Sequence, residues 1–386
     1  IPVDPSVLLT TAGMQQFKPY FTGQKDPEKD FGSKNTVSIQ KSFRTSDIDE
    51  VGDNSHNTFF EMLGNFSFGG YFKKEAIEYA QEFITKELGL AIDYVSVFEG
   101  DSEVPADVES EEIWKSLGIT NIKKFGRQDN FWGPTGLEGP CGPTTEIYVN
   151  GVEIWNIVFN EYYCKPRINA DQTQIDADKL LKPLKIKGVD TGMGLERLAT
   201  VVQKKKNIFE TDLFEPIISQ LPNDLEEKKK RIVADHIRSV AFLMADGVRP
   251  SNKEAGYILR RLMRRAMAYG READIKRLFS TVVDLYGDFY PELKRANIVE
   301  TFQKESEQFS RILDIGVKQL ERTLSLDAPA AFKLYESYGL PYEVIKDKFP
   351  DLKHEDFEAE FKKHQEISRA GAEKKFGGHG IVEGDL

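Results

Sequence analysis

Gly188-Val189-Asp190-Thr191-Gly192-Met193-Gly194-Leu195-Glu196-Arg197-Leu198-Ala199-Thr200-Val201 is the stretch around which the chain is organised. A carboxylate, two glycines and an arginine fall between Asp190 and Arg197. From Leu195 onward the apolar positions Leu195, Leu198, Ala199 and Val202 take helical spacing, whereas Leu184-Lys185-Ile186-Lys187 before them alternates as a strand does. The expected local structure is a strand ending at the carboxylate, a close-packed glycine bend, and Arg197 on the first turns of a helix. Glycine at 192 and 194 lets a ligand approach the backbone closely. Asp190 suits a cationic amine, and Arg197, planar and always charged, suits stacking on a base. Taken alone, the octapeptide reads equally well as a glycine turn with an exposed aspartate and a surface arginine.

Upstream, Val37-Ser38-Ile39-Gln40-Lys41-Ser42-Phe43-Arg44 reads as a strand. A polar, acidic loop follows from Thr45 to Asn54, and His56 to Phe68 resumes as an aromatic-rich strand. This strand–loop–strand hairpin places a cation on one stem and an aromatic on the other: Arg44 suits a phosphate and Phe60 a base face. The same residues also suit a plain core hairpin with Phe59, Phe60 and Phe66 buried. Leu8 to Met14 is expected as a short strand, and residues 24–36 and 165–180 as polar loops. Phe72–Leu88 has the spacing of an amphipathic helix, Tyr94–Phe98 that of a strand, and Ser110–Leu117 that of a short helix. Gly139-Pro140-Cys141-Gly142-Pro143 reads as a rigid loop before strands at Thr145–Val149 and Val152–Tyr163.

Up to about residue 218 the pattern is hairpins and long loops with packed helices, not the βαβ alternation of a parallel sheet. Neither G-x-G-x-x-G nor a P-loop occurs. After that the spacing is helical: Leu225–Met244, Asn252–Tyr269 closed by Gly270, Ile275–Tyr286, Tyr290–Leu326, Ala328–Tyr338 and Ala359–Phe376. The fold class expected is α+β, an antiparallel sheet flanked by helices and followed by an all-α part. The division expected is residues 1–218, residues 219–375, and a linker-like tail at 376–386. The Asn252–Tyr269 helix carries Arg260, Arg261, Arg264 and Arg265 along one edge. These arginines suit either a solvated face paired to carboxylates or a face that tracks phosphates.

With 386 residues, two to three domains are the prior. No run of about 18 apolar residues occurs, so no membrane span is expected. Only Cys141 and Cys164 are present, which excludes a disulfide framework and points to a reducing, cytoplasmic setting. Five scattered histidines and no CxxC spacing spell out no zinc site. A net charge of −11 argues against wholesale coating of nucleic acid but permits a local basic face.

Together these motifs resemble the class II aminoacyl-tRNA synthetases, and within them the amino-terminal half of the alanyl-tRNA synthetase family. Leu8-Leu9-Thr10-Thr11-Ala12-Gly13-Met14 looks like the segment after motif 1. Phe43-Arg44 through Phe60 resembles motif 2, and Asp190 to Arg197 resembles motif 3. Asp129-Asn130-Phe131-Trp132, Gly139 to Pro143 and Glu153 to Phe159 are similar to family pocket segments. Ala234-Asp235-His236-Ile237-Arg238, Asp246 to Asn252 and Gly256 to Arg261 resemble its tRNA-binding helices.

The resemblance implies activation of L-alanine by ATP and transfer to the 3′ end of the alanine tRNA. Arg44 would grip the α-phosphate. Phe60 and Arg197 would sandwich the adenine, with His56, Glu61, Met62 and Gly194 completing the ATP contacts. Asp190 would bind the substrate ammonium, with Trp132, Val158, Met62 and Gly192 enclosing its methyl group. Asn252 would meet the acceptor-stem minor groove, and Arg260, Arg261, Arg264 and Arg265 would hold phosphates. Glu336 stands where the family usually has an aspartate that reads the identity pair, and its extra methylene leaves base-pair selectivity open. Mg²⁺ would accompany ATP, with ligands the sequence does not name. No editing or oligomerisation pattern follows, so a monomer that activates glycine and serine as well is expected. Two other functions fit the same residues: a class II-like ligase with a non-tRNA acceptor, and a catalytically impaired tRNA- or RNA-binding paralogue. The basic helical part argues against the former, and intact Arg44, Asp190 and Arg197 argue against the latter.

Overall fold

A computed structural model of the chain describes residues 2, 4, 7–136, 138–168, 175–270 and 272–363. Its centre is an eight-stranded sheet: β1 (Asn35–Phe43), β2 (Phe59–Ser67), β3 (Tyr94–Phe98), β4 (Ile122–Phe125), β5 (Phe131–Trp132), β6 (Gly139–Val149), β7 (Val152–Ile168) and β8 (Ile175–Gly194). The order is β1-β2-β8-β7-β6-β3-β4, with β5 paired to β6 off this path. Every pairing is antiparallel except β3 with β4. The α+β architecture expected from the sequence is therefore present, with one parallel pair added.

Side chains alternate across the sheet, and this alternation sorts the central strands into two faces. One set, which includes Ile147, Ile157, Phe159, Val189 and Met193, packs under the helices Lys73–Glu82 and Val108–Ser116 around the fully buried Trp114. The intervening residues of the same strands face the cavity described below. Gly142 is required by close packing: a Cβ there would sit 1.8 Å from the Phe159 carbonyl oxygen.

Helices Glu227–Ala245, Glu254–Tyr269, Ile275–Tyr286, Ile298–Arg322, Ala328–Tyr338 and Tyr342–Lys348 follow. Their core is continuous with the β1–β2 end of the sheet. One apolar cluster runs from Leu9, Phe43, Ile48 and Phe59 through Ile237, Phe242 and Leu262 to Ile345 and Phe357. Phe59 stacks on Phe242 with ring centroids 4.0 Å apart.

Several local expectations change. Leu8–Met14 forms no strand; bends lead into a 3₁₀ turn at Gly13–Phe17. Residues 24–36 include a short helix, Pro27–Phe31, started by Asp26 accepting from the Glu28 N–H and by Pro at its first turn. The Gly139–Pro143 segment is strand, not loop, and β7 and β8 run on through much of 165–180. The glycines at 192 and 194 are extended residues of β8, so the bend expected there does not form. β4 escaped the sequence reading because Ile-Lys-Lys-Phe is too short and polar to signal a strand. The helix expected over Tyr290–Leu326 is broken between Arg295 and Ile298. The tail at 376–386, and the final helix beyond residue 363, lie outside the described residues.

Candidate active site and RNA-facing groove

The strand register builds the first site. Across neighbouring strands Met62 pairs with Gly194, Gly192 with Asn156, Asn156 with Glu146, and Asp190 with Val158. Because directly opposed residues share a face, all seven project to the same side. There they floor a cavity of about 540 Å³. The hairpin of β1 and β2 adds Arg44, His56 and Phe60 to its walls, β5 adds Trp132, and the helix Leu195–Val202 adds Arg197. Ten of the residues singled out in the sequence therefore meet in one place: Arg44, His56, Phe60, Met62, Trp132, Val158, Asp190, Gly192, Gly194 and Arg197.

Asp190 is 4% exposed, and among the described residues no hydrogen bond or ion pair is made to its carboxylate. Burial pushes its carboxyl up to about 8. Val158, Met62 and Trp132 leave apolar surface beside it. Gly192 keeps this end of the cavity open, since a Cβ there would stand 3.1 Å from the Met62 sulfur. A Cβ on Gly194 would meet no protein atom within 4 Å, so a side chain there would take space only from the cavity that Gly194 lines.

The Arg44 guanidinium lies 5.0 Å from the Phe60 ring centroid, and its Nε donates to the Thr11 carbonyl at 3.4 Å. Burial, reinforced by neighbouring Arg197, holds Arg44 below the usual arginine value, with Asp47 and Glu153 opposing. An anion near both guanidiniums would relieve that strain on their charge. Arg197 pairs with Glu153 at 3.0 Å. His56 sits at the rim, its Nδ1 against the Asp53 carboxylate at 2.5 Å.

One expected contact is corrected. Glu61 lies between Phe60 and Met62 on β2, so its side chain points away from the cavity. It accepts from the Tyr290 hydroxyl at 2.6 Å, and its backbone N–H donates to Glu196.

An acidic wall completes the cavity: Asp129 and Glu153 lie in the segments expected at the pocket, though with no role assigned, and Glu146 and Glu196 were missed as lining residues. Burial and the nearby Glu153 push Glu146 up to about 7. Ser96 and Tyr148 donate to its Oε2 at 3.1 and 2.8 Å. Among the described residues no group of three His, Cys, Asp or Glu side chains is gathered for a metal.

The second site is a groove of about 1260 Å³ between helices of the carboxy-terminal part. Asn252, Arg260, Arg261, Arg264 and Glu336 all line it, so five of the six residues assigned to RNA from sequence share one surface. These arginines already have partners. Arg260 pairs with Glu305 at 2.6 Å and donates to the Asn252 side chain, while Arg261 pairs with Asp49 at 2.8 Å and with Glu343. Arg264 lies 4.1 Å from the Phe309 ring centroid. Arg265 is corrected: it is 2% exposed and donates to the Ile48 carbonyl, so it is a core strut between helix and hairpin loop. At about 100° per residue Arg265 lies about 140° around the helix from Arg260 and about 40° beyond Arg261, on the edge that turns from the groove toward the hairpin loop.

No helix among the described residues is long and apolar enough to cross a membrane.

Residues 1–382 match the family model described as tRNA synthetases class II (A). An alanine–tRNA ligase from Rubrobacter xylanophilus is 41% identical over 97% of this chain and 47% of its own length. Alanine–tRNA ligases from Borrelia hermsii and Treponema pallidum are 40% and 39% identical, each over 97% of this chain and 70% and 69% of their own lengths. The chain thus spans about half of the first relative and about two thirds of the others. It belongs to the alanine–tRNA ligase family of class II tRNA synthetases.

Proposed function

We propose that the chain activates L-alanine with ATP and transfers it to the 3′ end of the alanine tRNA. The observation that carries this is the buried Asp190 carboxylate, without a cation of its own, set beside the small apolar wall of Val158, Met62 and Trp132 and facing Arg44 and Arg197. An α-ammonium group supplies the missing charge, and a methyl group fits the wall. In the first step an alanine carboxylate oxygen attacks the α-phosphorus, and the bond from that phosphorus to the pyrophosphate oxygen breaks. Arg44 stabilises the charge that develops on the equatorial oxygens. Phe60 and Arg197 hold the adenine between a ring face and a guanidinium plane. The gain lies in positioning and charge neutralisation, with no covalent intermediate on the protein required. In the second step the terminal ribose hydroxyl attacks the activated carbonyl and AMP leaves.

The acidic wall fits a divalent cation brought in with the triphosphate. Burial and the nearby Glu153 raise the Glu146 carboxyl, and Glu146 and Glu153 are the residues that would hold Mg²⁺. Such an ion would neutralise phosphate charge and orient the pyrophosphate leaving group.

Residues 1–218 would carry amino-acid activation and residues 219–375 the acceptor-stem contact, with Asn252 and Glu336 toward bases and Arg260, Arg261 and Arg264 toward phosphates. We infer a monomer in the cytoplasm. The test is exchange of labelled pyrophosphate into ATP with alanine, glycine, serine and no amino acid side by side. Exchange strongest with alanine is expected; none with any of them would leave the RNA-binding paralogue as the better reading.

A further inference from the structure

Arg238 belongs to the helix Glu227–Ala245, outside the part that holds the cavity, and is fully buried. Its guanidinium donates to Glu196 and lies 3.7 Å from Glu61. Its carbon is 4.9, 4.7 and 5.1 Å from the ring centroids of Phe59, Phe214 and Tyr286. Glu61 also accepts from Tyr290, and both Glu196 carboxylate oxygens accept from the Glu61 backbone N–H at 3.3 Å. One arginine and one tyrosine from the helical part therefore close a buried knot with two carboxylates, Glu196 of the cavity wall and Glu61 behind it. Each carboxylate is a chain neighbour of the clamp residues: Glu196 precedes Arg197, and Glu61 lies between Phe60 and Met62.

We propose that Arg238 is a positioning residue for the nucleotide: by tying Glu196 to Glu61 it sets the separation and tilt of Arg197 and Phe60, so the helical part completes the ATP site before any RNA is bound. The proposal rests on the ATP reading above. The geometry separates the two substrates. Asp190 and Val158 pair with each other in the β7–β8 register, whereas the polar contacts of Arg238 run to Glu196 and Glu61, so Met62 is the one alanine-wall residue next to the knot in sequence. Without Arg238, two buried carboxylates would face each other uncompensated, and the first turn of Leu195–Val202 would shift away from β2. Misplacement of a binding group by about 1 Å can cost up to about 100-fold.

The experiment uses the full chain and two variants. Arg238→Lys keeps the charge but loses the planar guanidinium that spans the carboxylates and three rings. Glu61→Gln and Glu196→Gln combined with Arg238→Met remove all three charges of the knot and so avoid an orphaned buried ion. ATP affinity is read by calorimetric titration without amino acid, KM for ATP and for alanine by pyrophosphate exchange, and folding by thermal melting. In both variants we expect ATP affinity to fall and its KM to rise about tenfold, with KM for alanine changed less than about twofold. ATP affinity equal to the parent in Arg238→Lys would overturn the proposal, as would an equal rise in both KM values. A parent chain that binds no ATP would overturn the ATP reading and this inference with it, whereas a parent that binds ATP beside an unaffected variant would remove only this inference.

Discussion

At the scale of single residues, the role proposed for Asp190 would join substrate recognition to pH. Its carboxyl is raised to about 8 by burial, so in the empty site it is protonated at neutral pH, and an ammonium ion must displace that proton. The KM for alanine in pyrophosphate exchange is therefore expected to fall about tenfold per pH unit between pH 6 and 7 and to level off above 8. A flat profile would mean that the carboxylate is already charged. The same shift acts on stability. A group whose folded-state value is raised contributes stability that is fully present below its unfolded value, near 4, and is lost as pH rises through about 8. Asp190→Asn should therefore melt above the parent at pH 8, by about 2 °C or more, and the gap should close as pH falls toward 4. The variant should lose alanine-dependent exchange by about 100-fold or more. Selectivity is also decided here. A pocket shaped by Val158, Met62 and Trp132 separates one methyl group by only about 1–3 kcal/mol. Measurable glycine and serine exchange is expected, and no detectable adenylate from either would require a stricter filter than these walls provide.

At the scale of elements, the helix Glu254–Tyr269 has two edges with different tasks. Arg264→Ala should leave exchange intact, weaken alanine-tRNA binding, and lower the slope of affinity against salt by about 1. Arg265→Met should instead lower the melting temperature, because the buried Ile48 carbonyl loses its donor at a cost of about 1–3 kcal/mol. RNA binding unchanged in Arg264→Ala would take that residue out of the interface. The neighbouring helix Glu227–Ala245 carries a buried histidine. His236 donates to or accepts from Asp235 at 2.8 Å, and burial pulls it down to about 4. A lowered histidine contributes stability above its unfolded value, about 6.5, that is lost as pH falls toward 4. His236→Asn should flatten the parent's loss of melting temperature across that window.

These elements also show what a sequence can and cannot display. The cavity residues were legible because strands β2, β7 and β8 carry them at alternating positions. Glu61 was misplaced although the same alternation puts it on the opposite face from Phe60; the resemblance to a motif outweighed the period. Arg265 was grouped with Arg264 because neighbours in sequence look alike on paper, while a helix turns them apart. Glu146 and Glu196 were not assigned roles because their task depends on pairings to distant strands and helices, which no local pattern encodes.

At the scale of the whole molecule, net acidity is compatible with the proposed RNA binding because Lys253, Arg260, Arg261 and Arg264 are gathered along one groove. Partners such as Glu305 and Glu343 hold those side chains in place until phosphates compete for them. The apolar cluster that runs from Phe43 and Phe59 to Ile345 has a different consequence, one of inheritance. A sheet that finishes its own core can be recombined with new appendages. This one finishes its core with the helices behind it, so a crossover near residue 218 would leave two halves that each expose what the other should cover. Chemistry and RNA reading would then have to be passed on, duplicated or lost as a single unit, and variation in acceptor preference would arise by substitution along the groove rather than by exchange of modules.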